Sequence, residues 1–178
     1  MNARTESFIG IASDNDLRIA LHYKDAAKVL YKSNAYQDGI SLPFLFLIRQ
    51  FLELALKYNI KKLNEISSIN YLMGKLYKVH DLNKIHEAFL QHYRNVKNIQ
   101  GNKDTSDQEY LDILNTLIKN ISSLDSNSQG FRYAENTEKV KIISTEETFD
   151  LKAVFELLED TSNFLAHITD EFGLNHED

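Results

Sequence analysis

Residues 42 to 63, LPFLFLIRQFLELALKYNIKKL, are apolar around most of a helical circumference, yet Arg49, Glu53 and Lys57 interrupt them. Taking about 100° of rotation per residue and setting Arg49 at zero, Glu53 falls at ~40°, Lys57 at ~80°, Gln50 at ~100° and Lys61 at ~120°. These polar groups share one stripe. The rest of the circumference is Leu45, Phe46, Leu47, Ile48, Phe51, Leu52, Leu54, Ala55 and Leu56, which predicts a helix enclosed by protein on most sides, the central member of a bundle. Because a buried unpaired charge is strongly unfavourable, the stripe must meet counter-charges or a ligand.

The same periodicity places the other helices. DLRIALHYKDAAKVLYKSN carries Leu17, Ala20, Ala27, Leu30 and Tyr31 near helical spacing and begins at Asp14 or Asp16 as N-cap. NAYQDGISLP then reads as a connection, with a turn at Asp38-Gly39, and with Ser41 and Pro43 at the start of the central helix. A short helix is expected around Ile69 to Leu76, weakened by Gly74. HDLNKIHEAFLQHYRNVKN aligns Leu82, Ile85, Phe89, Tyr93 and Val96 on one face, with Asp81 near its N-terminus and Gly101 closing it. Ser106 with Glu109, and Ser144 with Glu147, form the S-x-x-E capping pattern ahead of two further amphipathic runs. Between these runs FRYAENTEKVKIIS reads as two short extended arms. The expected fold is all-α: an up-and-down bundle of about five helices with a short β-hairpin before the last.

Length and composition fit that picture. The chain has 178 residues, 43% hydrophobic, with six glycines and a single proline, the make-up of one soluble helical domain over 1–178. Residues 1–13 and 173–178 are expected to be flexible ends. Zero cysteines remove disulfide frameworks, Cys-based zinc sites and thiol nucleophiles. No apolar stretch near the start resembles a signal segment, and the run Leu42 to Ile48 is far below the roughly 20 residues of a membrane span. The expectation is a cytoplasmic protein with no membrane association. A net charge of −6 argues against generic phosphate-backbone binding, while Lys57, Lys61 and Lys62 make only a small basic cluster.

Candidate chemistry is sparse. His80, His86 and His92 are each six apart, turning about 240° per step, so they do not share a helical face, and HEAFL lacks the second histidine of H-E-x-x-H. No metal or cofactor is expected. Phosphate-binding and nucleophile-elbow motifs are absent from the sequence. The stripe has two readings: a self-compensated seam, with Glu53 to Lys57 in the favourable i to i+4 orientation and Arg49 one turn earlier, or a cleft in which Arg49 holds a phosphate or carboxylate. His80 and Asp81 either cap the third long helix or supply an acid/base group. Arg132, beside Tyr133, either stacks at the surface or reaches into the seam as a clamp.

Three stretches carry a resemblance to a known family: IRQFLELALKYNI, VHDL and DSNSQGFRYAEN, together spanning roughly residues 17 to 135. They resemble the HEPN domains, small all-helical modules of bacterial defence and toxin–antitoxin systems that also occur as partners of nucleotidyltransferases. Catalytic members are metal-independent ribonucleases bearing an arginine and a histidine separated by four to six residues. Here Arg18 and His22 have only three residues between them, and His167 has no arginine near it. The resemblance therefore implies the fold, the defence setting and a tendency to pair as homodimer or heteromer, more than the nuclease activity.

The resulting expectation is a non-catalytic binding module of a bacterial conflict or toxin–antitoxin system, such as an immunity protein, an antitoxin-like partner or a sensor. It would act on a protein partner (toxin, nucleotidyltransferase or second copy) or on RNA or a nucleotide, using Arg49, Glu53, Lys57, His80, Asp81, Arg132 and Tyr133. The alternative is a metal-independent endoribonuclease in which Arg49 and Arg132 grip the phosphodiester and His80 moves the proton.

Overall fold

The computed structural model describes residues 15–33, 35–125, 131 and 148–174. Five α-helices follow one another: α1 (Asp16–Tyr31), α2 (Gln37–Ser67), α3 (Leu82–Ile99), α4 (Gln108–Leu124) and α5 (Leu151–Glu171). A short 3-10 helix, Met73–Lys78, precedes α3. Among the described residues the fold is all-α. The hairpin expected over 131–144 lies outside them apart from Phe131, as do Arg132, Tyr133, residues 1–14 and residues 175–178.

Each helix packs on its neighbour in sequence, α5 returns to α1, and α2 touches all four others. That central position follows from the pattern. Phe44, Ile48, Phe51, Leu52, Ala55, Leu56, Ile60 and Leu63 have no exposed surface and face in several directions, as a helix apolar around most of its circumference must. By length and composition α2 is the one described helix capable of crossing a membrane; here the other four helices clothe it. The core continues through Leu82, Ile85, Phe89 and Tyr93 of α3, Leu114, Leu117 and Ile121 of α4, and Leu158, Leu165 and Ile168 of α5.

Several boundaries differ from the sequence expectation. The connection before the central helix is itself helical: α2 begins at Gln37, and Pro43 lies inside it. Burying Ile40 on the stripe that continues at Phe44 and Ile48 outweighs the lost proline hydrogen bond, which falls in the exposed early turns. Helix α1 is capped by Asn15, whose side chain accepts from the Arg18 N–H at 2.8 Å, rather than by Asp14 or Asp16. Asp107 occupies the cap position of α4; Ser106 is instead drawn to Asp104, which accepts from both its N–H and its hydroxyl. The last helix opens at Asp150, which accepts from the N–H groups of Lys152 and Ala153, not at Ser144. Gly101 closes α3 with φ of +65°, a left-handed conformation that glycine adopts without strain.

The ends of α5 and of the described chain are tied down. Gly173 has φ of +67°, and the Leu174 N–H donates to the Thr169 carbonyl at 2.7 Å, a helix-terminating turn that folds Leu174 back onto the core.

Candidate functional site

The polar stripe of α2 is buried and internally paired. Arg49, Glu53 and Lys57 are 0%, 6% and 3% exposed, so their charges are held by partners rather than by water. Glu53 is the hub. One carboxylate oxygen accepts from Arg49 Nη1 at 2.8 Å, and the other from Lys57 Nζ at 2.7 Å. The His80 ring, brought in by the segment before α3, donates from Nδ1 to the Lys57-bound oxygen at 2.9 Å.

Arg49 is the clamp. Besides Glu53, its Nη2 donates to the His80 carbonyl, and its Nε donates to the Asp125 carbonyl at 3.3 Å, with the Asp125 carboxylate 3.5 Å away. One guanidinium thus holds α2, the entry to α3 and the exit of α4 together, a task suited to a planar fork of donors. Asp125 is in turn held by the backbone N–H of Phe131 at 3.5 Å. Two cations and two carboxylates share the enclosed space, which is the balance a dry site requires. Burial opposes the charge on Glu53, but hydrogen bonds from Lys57 and Arg49, the field of Lys57 and the bond from His80 together prevail and hold its carboxyl below the ordinary glutamate range.

Asp81 is the N-cap of α3; its carboxylate accepts from the N–H groups of Asn83 and Lys84 at 3.0 and 3.2 Å. It therefore points along the helix rather than into the seam. His80 is the accessible member, with 57% of its side chain exposed. Gln50 is half-buried and Lys61 exposed, so the inner part of the stripe ends with Lys57.

Sequence reasoning did not identify Asp125. Asp125 lies within the stretch DSNSQGFRYAEN, but no local pattern ties an aspartate at the end of α4 to an arginine so distant in the chain. Further polar groups are buried outside the expected seam. Asn59 donates to the Ala55 and Leu165 carbonyls at 2.9 and 3.0 Å, joining α2 to α5. His92 accepts from the Ser67 hydroxyl at 2.8 Å and donates to the Tyr71 carbonyl, and burial lowers its pKa. His86 is also buried; desolvation, assisted by Arg94 and Lys119, lowers its pKa to about 4, and its Nε2 has no hydrogen-bond partner among the described residues.

A second polar assembly lies where α3, α4 and α5 meet. Lys97 Nζ donates to both Asp107 oxygens at 2.8 Å, and the Tyr93 hydroxyl donates to the same carboxylate. Desolvation and the bond to Asp107 push the Tyr93 hydroxyl well above its ordinary range. Beside this corner is a cavity of about 550 Å³ lined by residues of α4, of the turn that leads into it, and of α5.

No family model, curated protein or solved structure matches this chain.

Proposed function

We propose that the chain is a HEPN-like helical module of a bacterial conflict or toxin–antitoxin system, cytoplasmic, working by binding rather than by catalysis. Its partner would be a toxin, a nucleotidyltransferase or a second copy of itself. The observation supporting this reading is the state of Arg49. A cation meant to grip a phosphodiester has to present free donors, whereas those of Arg49 are turned inward to Glu53, His80 and Asp125. The seam acts as scaffold, and binding falls to the surface, which on an acidic chain favours basic protein partners over nucleic acid.

The test co-expresses the chain with each product of its flanking genes, scoring growth and the formation of a purified complex by size-exclusion chromatography. A stable complex with one product, or a homodimer, is expected. A chain that stays monomeric and alone against all of them contradicts the proposal.

The ribonuclease reading retains one supporting observation: His80 is oriented through Nδ1 by Glu53 while much of its ring remains in solvent, an arrangement suited to proton transfer. Arg132 would then be the phosphate cation in place of Arg49. Incubation with total RNA in EDTA decides this. Cleavage abolished by His80→Ala supports the enzyme; intact RNA, or cleavage indifferent to that substitution, removes it.

A further inference from the structure

The groove between α4 and α5 is built unlike the seam. Its wall is an aromatic pair: Tyr110 of α4 lies parallel to Phe164 of α5, with ring centroids 5.9 Å apart and planes 6° from parallel. Phe164 is fixed from behind by edge contacts to Phe89 and Tyr93 at 6.5 and 6.0 Å. Tyr110, by contrast, is 46% exposed, so a rigid stack ends in a ring open to solvent. Phe164, His167 and Glu171 fall on one face of α5, since residues three, four and seven apart lie together. The resulting cavity, about 550 Å³, is within the size range of sites that enclose a small ligand or a large side chain.

Charge at the rim is one-sided. Asp107 is consumed by Lys97 and Tyr93, but Glu109 and Glu171, which also line the groove, have no ion-pair partner among the described residues. His167 donates from Nδ1 to the Asn163 carbonyl at 2.7 Å, which leaves its other ring nitrogen outward as an acceptor when the ring is neutral. An open aromatic face beside carboxylates is complementary to a flat, delocalised cation, which stacks on the ring and meets a carboxylate with paired N–H donors.

We propose that the α4–α5 groove receives an arginine side chain from a basic protein segment, its guanidinium stacked on Tyr110 and bonded by Glu171 and Glu109. This rests on the binding-module reading above and gives that module its contact chemistry. Arginine is favoured over lysine because an ammonium offers neither a plane to stack nor a fork of donors.

The test titrates the full chain with a capped alternating Gly-Arg peptide, and separately with its Gly-Lys counterpart, by calorimetry in low salt. Circular dichroism confirms that each variant is folded. Saturable binding of the arginine peptide is expected, weakened about fivefold or more by Tyr110→Ala and similarly by Glu171→Gln, with the lysine peptide weaker on the unaltered chain. The lysine peptide binding equally well, both substitutions leaving arginine binding unchanged, or no saturable binding at all would each overturn the assignment. The flanking-gene experiment reads out separately: a complex that forms and survives Tyr110→Ala keeps the binding module while removing this groove.

Discussion

Glu53, buried in the seam, and Glu171, exposed at the rim of the α4–α5 groove, show what decides the state of a carboxylate in this bundle. Burial is the largest influence on both, and by itself it raises the pKa of each. At Glu53 the hydrogen bonds and field of Lys57 and Arg49 reverse the outcome, and the group is held below its ordinary range. At Glu171 the next largest influence is the field of Asp107, another carboxylate, which pushes the same way as burial, as does Asp104; Lys97 offsets them only in part. One glutamate is part of a closed circuit of charge, and the other has no ion-pair partner among the described residues. The contrast runs parallel to exposure: Glu53 is buried and Glu171 is exposed.

Removing the hub should have the largest effect. Glu53→Ala strands Lys57 in a dry interior and leaves Arg49 with Asp125 as its one remaining carboxylate among the described residues, and a loss of about 3–5 kcal/mol is expected in urea unfolding. A loss below about 1 kcal/mol would mean that water reaches the seam. Next in size is acid lability from His86. Its folded pKa, about 4, lies below the 6.5 of the free group, so the unfolded chain binds the proton first. The stability that neutral His86 contributes is complete above pH 6.5 and lost progressively toward pH 4, by about 3 kcal/mol. Stability measured across that window should fall as pH is lowered, and His86→Phe should flatten the curve. Glu53 adds its own loss only at lower pH, as the solution falls through its depressed pKa.

Smaller effects probe the corner near the groove. Tyr93→Phe removes the hydroxyl that donates to Asp107 and should cost about 1 kcal/mol in the same assay. Glu171→Gln should have the opposite sign to Glu53→Ala. Because the folded pKa of Glu171 is raised, its stabilising effect is fullest below the unfolded value and lost as pH rises. Neutralising it should therefore raise stability at pH 7 by a few tenths of a kcal/mol, limited by solvent screening. A destabilised Glu171→Gln chain would break the comparison by showing a hidden partner.

What the sequence displayed was whatever repeats locally. The stripe of Arg49, Glu53 and Lys57 was visible because i to i+4 spacing aligns side chains on any helix, and α3 was visible from Asp81 followed by five apolar residues at helical intervals. The start of α2 was hidden by Asp38-Gly39 and Pro43, local signals for a turn that were overridden by the burial of Ile40. Asp125 was hidden for a different reason: its role exists only after α4 packs beside α2, and nothing near it in sequence encodes that meeting. The α4–α5 groove belongs to the same class. Tyr110 and Phe164 are ordinary amphipathic-helix residues until tertiary packing makes them parallel.

The most direct test of the seam is a double-mutant cycle on Glu53→Gln and Lys57→Met, each variant and the pair followed by urea denaturation at pH 7. If the buried charges hold one another, the pair should cost less than the sum of the single losses, with a coupling of about 1–3 kcal/mol. Losses that add to within about 0.3 kcal/mol would mean that Glu53 and Lys57 do not sustain each other, and that the centre of this bundle is not a closed circuit.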